Sequence, residues 1–149
     1  MNKYIELAIN EAKEGLRKKE GGPFGAVIVK DDKVISSAHN MVLLTKDPTA
    51  HAEVSAIREA SRKLNSYDLS ECTLYTTSEP CPLCMSAIIW SGIKNVYYGA
   101  DRKDTSRIGF RDEFIYKYLS GEERNVVNAK QINRDECLGI LDSYHDTIY

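Results

Sequence analysis

Three side chains that bind soft or borderline metals stand near an acid: His51-Ala52-Glu53 is followed, 28 residues after the glutamate, by Cys81-Pro82-Leu83-Cys84, with Pro80 in front. One imidazole and two thiolates can hold zinc and leave its fourth tetrahedral position open to water, which distinguishes a catalytic zinc from a closed structural one. Zinc lowers the pKa of a bound water from about 15.7 toward ~7. Glu53, two residues from His51, is placed to take that proton and return it to a substrate. A Cys-x-x-Cys alone also serves as half of a structural zinc site or as a redox pair, but the chain has no second pair to close such a site. The spacing therefore predicts one Zn2+ per subunit, held by His51, Cys81 and Cys84.

These residues need elements that present them on a common side. Apolar Ile5, Ala8, Ile9, Ala12 and Leu16 recur at helical spacing from Asn2 to about Lys19, ending at Gly21-Gly22-Pro23. Phe24 to Val29 and Val34 to Ser37 flank Asp31-Asp32 and read as a hairpin. His39 to Thr45 has no clean period and reads as loop; Asp47-Pro48 then offers a cap and first-turn proline for a helix to about Leu64. Cys72 to Thr77 and Asn95 to Gly99 read as strands joined by a helix that opens at Pro80 and Pro82 and runs to about Trp90. Strand, helix, strand implies parallel pairing. Both half-motifs then fall at helix starts, where partial positive charge and unpaired N–H groups favour a thiolate. After Asp101 the pattern weakens into polar loop and short helices.

Bulk composition narrows the partners. The chain has 149 residues, 42% hydrophobic content and a formal net charge of −2, with a pI of about 5.9. That supports one domain over residues 1–149, and gives no general pull toward a phosphate backbone. A small molecule is the expected substrate and nucleic acid an unfavoured one. No apolar run approaches the ~18 residues of a membrane span, and the acidic, amphipathic N-terminus is unlike a signal peptide. The expected location is the cytoplasm, which the isolated Cys72 and Cys137 also suit. Both of these cysteines are expected in the core. His39 and His145 lack ligand-spaced companions and read as surface or loop histidines, and Lys117 to Arg124 reads as a solvated face.

His-x-Glu followed by Pro-Cys-x-x-Cys is the signature of zinc-dependent nucleobase deaminases. The chain resembles the cytidine and deoxycytidylate deaminase superfamily, and within it the bacterial guanine deaminases. The resemblance covers about residues 21 to 118: Gly21-Gly22-Pro23-Phe24-Gly25-Ala26-Val27-Ile28-Val29, Asp47-Pro48-Thr49-Ala50-His51-Ala52-Glu53-Val54, Ser78-Glu79-Pro80-Cys81-Pro82-Leu83-Cys84 with Ala87-Ile88 and Trp90, and Gly109-Phe110-Arg111-Asp112-Glu113-Phe114-Ile115-Tyr116. It implies an α/β fold, a three-layer α/β/α sandwich with a mixed central sheet of about five strands flanked by helices. It also implies zinc-dependent hydrolytic deamination of an aminopurine, guanine to xanthine plus ammonia. A tRNA-specific adenosine deaminase, or a cytosine or guanosine deaminase, is the alternative.

The resemblance also assigns roles. Asn40 matches an asparagine that hydrogen-bonds the purine edge, Asp112 an acid that accepts from ring N–H groups, and Phe24 and Trp90 aromatics around the pocket. The Ala52 N–H matches a donor to the developing oxygen charge. Each residue keeps an ordinary reading: Asn40 as a turn residue, Asp112 as a helix cap, Phe24 and Trp90 as core. Arg111 stands where relatives carry an acid. In the guanine deaminases the C-terminal segment crosses to a partner subunit and covers its active site. The resemblance thus implies a homodimer with such a swap, here through a shortened tail at about 120–149 ending in Tyr149.

Overall fold

The computed structural model describes residues 1–149. Its sheet starts from a turn: Asp31 and Asp32 both take positive φ, 49° and 59°, as a two-residue type I′ connection requires. That turn joins β1 (Gly25–Lys30) to β2 (Lys33–His39) antiparallel, with Lys30 opposite Lys33. On its other side β1 pairs antiparallel with β3 (Thr73–Ser78), and β3 pairs parallel with β4 (Asn95–Ala100). The result is a mixed sheet in the order β2-β1-β3-β4.

Helices cover both faces because β1 is apolar on both. Val27 and Val29 pack with Tyr4 and Ala8 of α1 (Lys3–Lys18). Ala26 and Ile28 pack with Ala52, Ala56 and Ala60 of α3 (Ala52–Leu64) and with Ile88 of α4 (Pro82–Ser91). These alternating faces make a three-layer α/β arrangement. Gly25 lets the first layer come close: a Cβ there would stand 2.0 Å from the Ala8 carbonyl oxygen. Asn2 starts α1 by accepting from the N–H groups of Tyr4 and Ile5.

Three expectations change. The sheet has four strands, not about five. Straight after β4, Asp101 and Asp104 form a reciprocal capping box that starts α5 (Arg102–Arg107), so the chain turns helical before another strand can begin. Asp47 does not cap α3; its Oδ1 accepts from the Thr49 N–H and hydroxyl at 2.8 and 2.7 Å, closing a local turn. The helix starts at Ala52 instead. The segment read as loop contains one helical turn, α2 (Val42–Thr45).

The chain divides into two compact units, residues 1–112 and 113–149. The second contains α6 (Glu113–Ser120) and α7 (Arg134–Asp142), neither with a buried residue. Cys137 is therefore exposed in α7 and not in a core, whereas Cys72 is buried. No helix is long and apolar enough to cross a membrane.

Candidate active site

The late start of α3 puts His51 at its N-cap, just as Cys81 is the N-cap of α4. Neither helix has a side-chain cap hydrogen bond. Pro82 follows Cys81 in the first turn, where an absent N–H costs little. Since α3 and α4 lie side by side in one core cluster, their starts converge. His51 Nδ1 lies 3.5 Å from Cys81 Sγ and 3.4 Å from Cys84 Sγ.

Those separations fit zinc. A tetrahedral ion with Zn–S near 2.3 Å and Zn–N near 2.05 Å holds its nitrogen and sulfur ligands about 3.6 Å apart. The three ligand atoms lie within 4.8 Å of one another, so this group is positioned to bind a metal. Its electrostatics suit a cation. The hydrogen bond from Cys84, with help from His51 and against burial, brings the Cys81 thiol down to about 4. The same contact pushes Cys84 up, reinforced by burial and by Glu53. The shared proton thus stays on Cys84, and a metal would displace it.

Glu53, in the first turn of α3, is buried and stands beside this group. Its Oε2 accepts from Cys84 Sγ at 3.3 Å, and its Oε1 accepts from the Thr76 hydroxyl at 3.0 Å. Burial raises its pKa, only partly offset by these hydrogen bonds. A carboxyl group with a raised pKa is poised to alternate between base and acid. Ala52, the first residue of α3, is fully buried next to it.

Two of the candidate recognition residues, Asn40 and Phe24, meet at the start of β1. Asn40 is buried just past β2. Its Oδ1 accepts from the N–H groups of Gly22 (3.3 Å) and Val42 (3.1 Å), and its own N–H donates to the Phe24 carbonyl. Asn40 is therefore a turn residue through its oxygen, and only its Nδ2 is left to meet a ligand. Gly21 permits this seat, since a Cβ there would approach Asn40 Oδ1 to 2.2 Å. Phe24 is half-buried against the core and meets Phe110 edge-on, ring centres 5.0 Å apart. Asp112 lies 3.7 Å from the Arg102 guanidinium. Burial raises its pKa, and Arg102 opposes the rise.

Residues 1–100 match the family of the cytidine and deoxycytidylate deaminase zinc-binding region. The chain belongs to this deaminase family. Guanine deaminase of Bacillus subtilis is 48% identical over 125 residues, 83% of this chain and 80% of that protein. The tRNA-specific adenosine deaminase of Aquifex aeolicus is 48% identical over 101 residues, 67% of this chain and 66% of that protein. The crystal structure of guanine deaminase from Bacillus subtilis superposes with a TM-score of 0.92 at 40% identity, covering all of this chain and 99% of that one.

In this deaminase two expected site residues are largely exposed. Trp90 is 75% exposed on α4, so it is not a core residue. Tyr149 belongs to the second unit and is 76% exposed. Arg111 is exposed as well. Three neighbours escaped the sequence reading: Thr76, which holds Glu53; Phe110, which packs on Phe24; and Arg102, which faces Asp112. Thr76 carries a local signal: the inward face of β3 turns from apolar Leu74 to polar Thr76 and Ser78.

His39 departs furthest from expectation. It is not a surface or loop histidine: its ring is buried at the end of β2, with Nδ1 2.8 Å from Glu11 and Nε2 2.5 Å from Glu20. Its acidic partners lie 28 and 19 residues away, too far for any local pattern to pair them.

Proposed function

We propose that this chain is a zinc-dependent hydrolytic deaminase that converts guanine to xanthine and ammonia. The observation that carries the chemistry is the buried Glu53 carboxyl, 3.3 Å from Cys84 in a His/Cys/Cys group of zinc-compatible spacing. The choice of guanine rests on the likeness to the Bacillus subtilis enzyme across most of both chains.

His51, Cys81 and Cys84 would hold the zinc, which when bound supplies activated water at neutral pH. Glu53 takes a proton from the attacking water and gives it to a ring nitrogen of the base, then takes the second proton from the hydroxyl so added and gives it to the departing amine, leaving a carbonyl and ammonia. Thr76 holds this carboxyl in place while it cycles. The Ala52 N–H, first in α3 and without an intrahelical partner, is available to the developing oxygen charge. Asn40 donates through Nδ2 to an acceptor on the purine edge, and Asp112 accepts from ring N–H groups. Phe24 and Trp90 offer flat faces to a flat ring.

We read residues 1–149 as one functional domain, acting in the cytoplasm as a homodimer. Its tail at about 120–149 covers the partner's active site, with Tyr149 over the base. Ile140, Leu141, Ile148 and Tyr149 are all more than half exposed, and such side chains gain by being covered.

The decisive experiment measures ammonia release by the zinc-loaded protein from free bases, nucleosides and transfer RNA. Guanine should be the preferred substrate. No turnover of guanine, with turnover of adenosine in transfer RNA, would select the second reading, which the 48% identity to the Aquifex aeolicus protein favours. Binding that weakens steeply with salt would accompany that outcome.

A further inference from the structure

Outside the zinc group the chain buries one more charged cluster, and it adjoins Asn40. The His39 ring lies between Glu11 of α1 and Glu20, whose side chains are 28% and 17% exposed. Its seat is shaped for it: a Cβ on Gly15 would stand 2.6 Å from His39 Cδ2. Ser37 donates to the other oxygen of Glu11 at 2.9 Å. A neutral imidazole has one N–H and can donate to only one carboxylate. With a carboxylate oxygen within 2.8 Å of each ring nitrogen, only a ring that carries both protons can donate to both glutamates.

This bridge ties together the two segments that enclose Asn40. The Glu20 carbonyl accepts from the N–H groups of Leu43 and Leu44. Gly22, two residues after Glu20, donates to Asn40 Oδ1, and Asn40 follows His39 directly. Residues 20–24 and 39–44 thus hold each other by backbone at one end and by the charged bridge at the other.

We propose that the Glu11–His39–Glu20 bridge is a positioning device for Asn40, holding its Nδ2 where a base is bound. This rests on the reading of Asn40 as a base-binding residue. Burial disfavours the imidazolium, but the hydrogen bonds it donates to Glu20 and Glu11 outweigh this and raise the His39 pKa. The bridge is therefore complete below the ordinary histidine value and is lost as pH rises through the raised one. The other charged groups around it are Asp47, Arg58, Glu59 and Arg62, which line the same cavity, and Arg17, which interacts with the charge of Glu20. His39 touches neither Glu53 nor the metal ligands, so it should act on binding and leave the proton transfers alone.

The test uses zinc-loaded enzyme, with guanine kinetics and histidine ¹⁵N NMR over about pH 5.5 to 9. The His39 ring should titrate above the ordinary histidine value, and KM should rise about five- to tenfold through that same pH while kcat does not follow it. His39→Gln should keep kcat and abolish this limb of the KM profile. Glu20→Gln, which preserves shape, should move the limb to lower pH and serves if His39→Gln does not fold. A neutral His39 at pH 7, or a KM limb unmoved in both variants, would overturn the proposal. Asn40→Ala separates the two readings. If it leaves KM unchanged while His39 still titrates high, the base-binding role of Asn40 fails, and the proposed function of the bridge with it.

Discussion

The two units of this chain use apolar residues in opposite ways. In residues 1–112, Ala26, Ile28, Ala52, Ala56, Leu74 and Ile88 are at most 2% exposed and form a continuous core that fixes the starts of α3 and α4. In residues 113–149, Leu119, Ile132, Ile140 and Leu141 are all at least 69% exposed, and α6 and α7 bury nothing. Segments below about 40 residues seldom supply enough core to fold alone. The contrast teaches that precise geometry is built into the first unit, while the second leaves its apolar side chains exposed.

The strongest test asks whether the reaction belongs to the first unit alone. Glu53→Gln keeps the shape of the side chain and removes its proton chemistry, so zinc-loaded protein should lose about 10²- to 10⁴-fold in kcat. Normal turnover with zinc still bound would break the assignment. Next in size comes the core itself. Leu74→Ala should cost about 2–5 kcal/mol in urea unfolding, whereas Leu141→Ala should stay within about 0.5 kcal/mol in dilute protein. Should Leu141→Ala cost more as concentration rises, its surface is covered by a second subunit, and the contrast sharpens into one between monomer and assembly.

Thr76→Val tests a smaller effect. It removes the donor to Glu53 Oε1 without changing volume much, and should lower kcat/KM by the equivalent of about 1–3 kcal/mol. An unchanged kcat/KM would mean that Glu53 is held by its other contacts. Smallest of all, Trp90→Ala should shift the stability of dilute protein by no more than about 0.5 kcal/mol. A larger, concentration-dependent loss would show that this face of α4 is buried in the working enzyme.

Legibility in the sequence followed the range over which each feature is decided. The hairpin was readable because Asp31-Asp32 is a local turn signal, and the β3-α4-β4 unit because its periods change within a few residues. The zinc group was readable because its ligands sit in two short motifs. The start of α3 was misplaced because an aspartate before a proline signals a helix cap and a local turn equally well, and the Thr49 hydroxyl decides between them. His39 was misread, and the core alternative for Trp90 fails, because burial depends on neighbours distant in the chain. For Asn40 the residue was legible but its chemistry was not: backbone N–H groups take the oxygen and leave only the donor for a ligand.

The helix starts at His51 and Cys81 lack the side-chain hydrogen bond that Asn2 gives to α1. The residues that would ordinarily quiet the first amides of α3 and α4 are assigned to ligation. Fraying of those two turns is therefore coupled to loading, and backbone amide exchange there becomes an occupancy gauge that needs no substrate. Exchange at the start of α1, which has its own asparagine, serves as the internal reference.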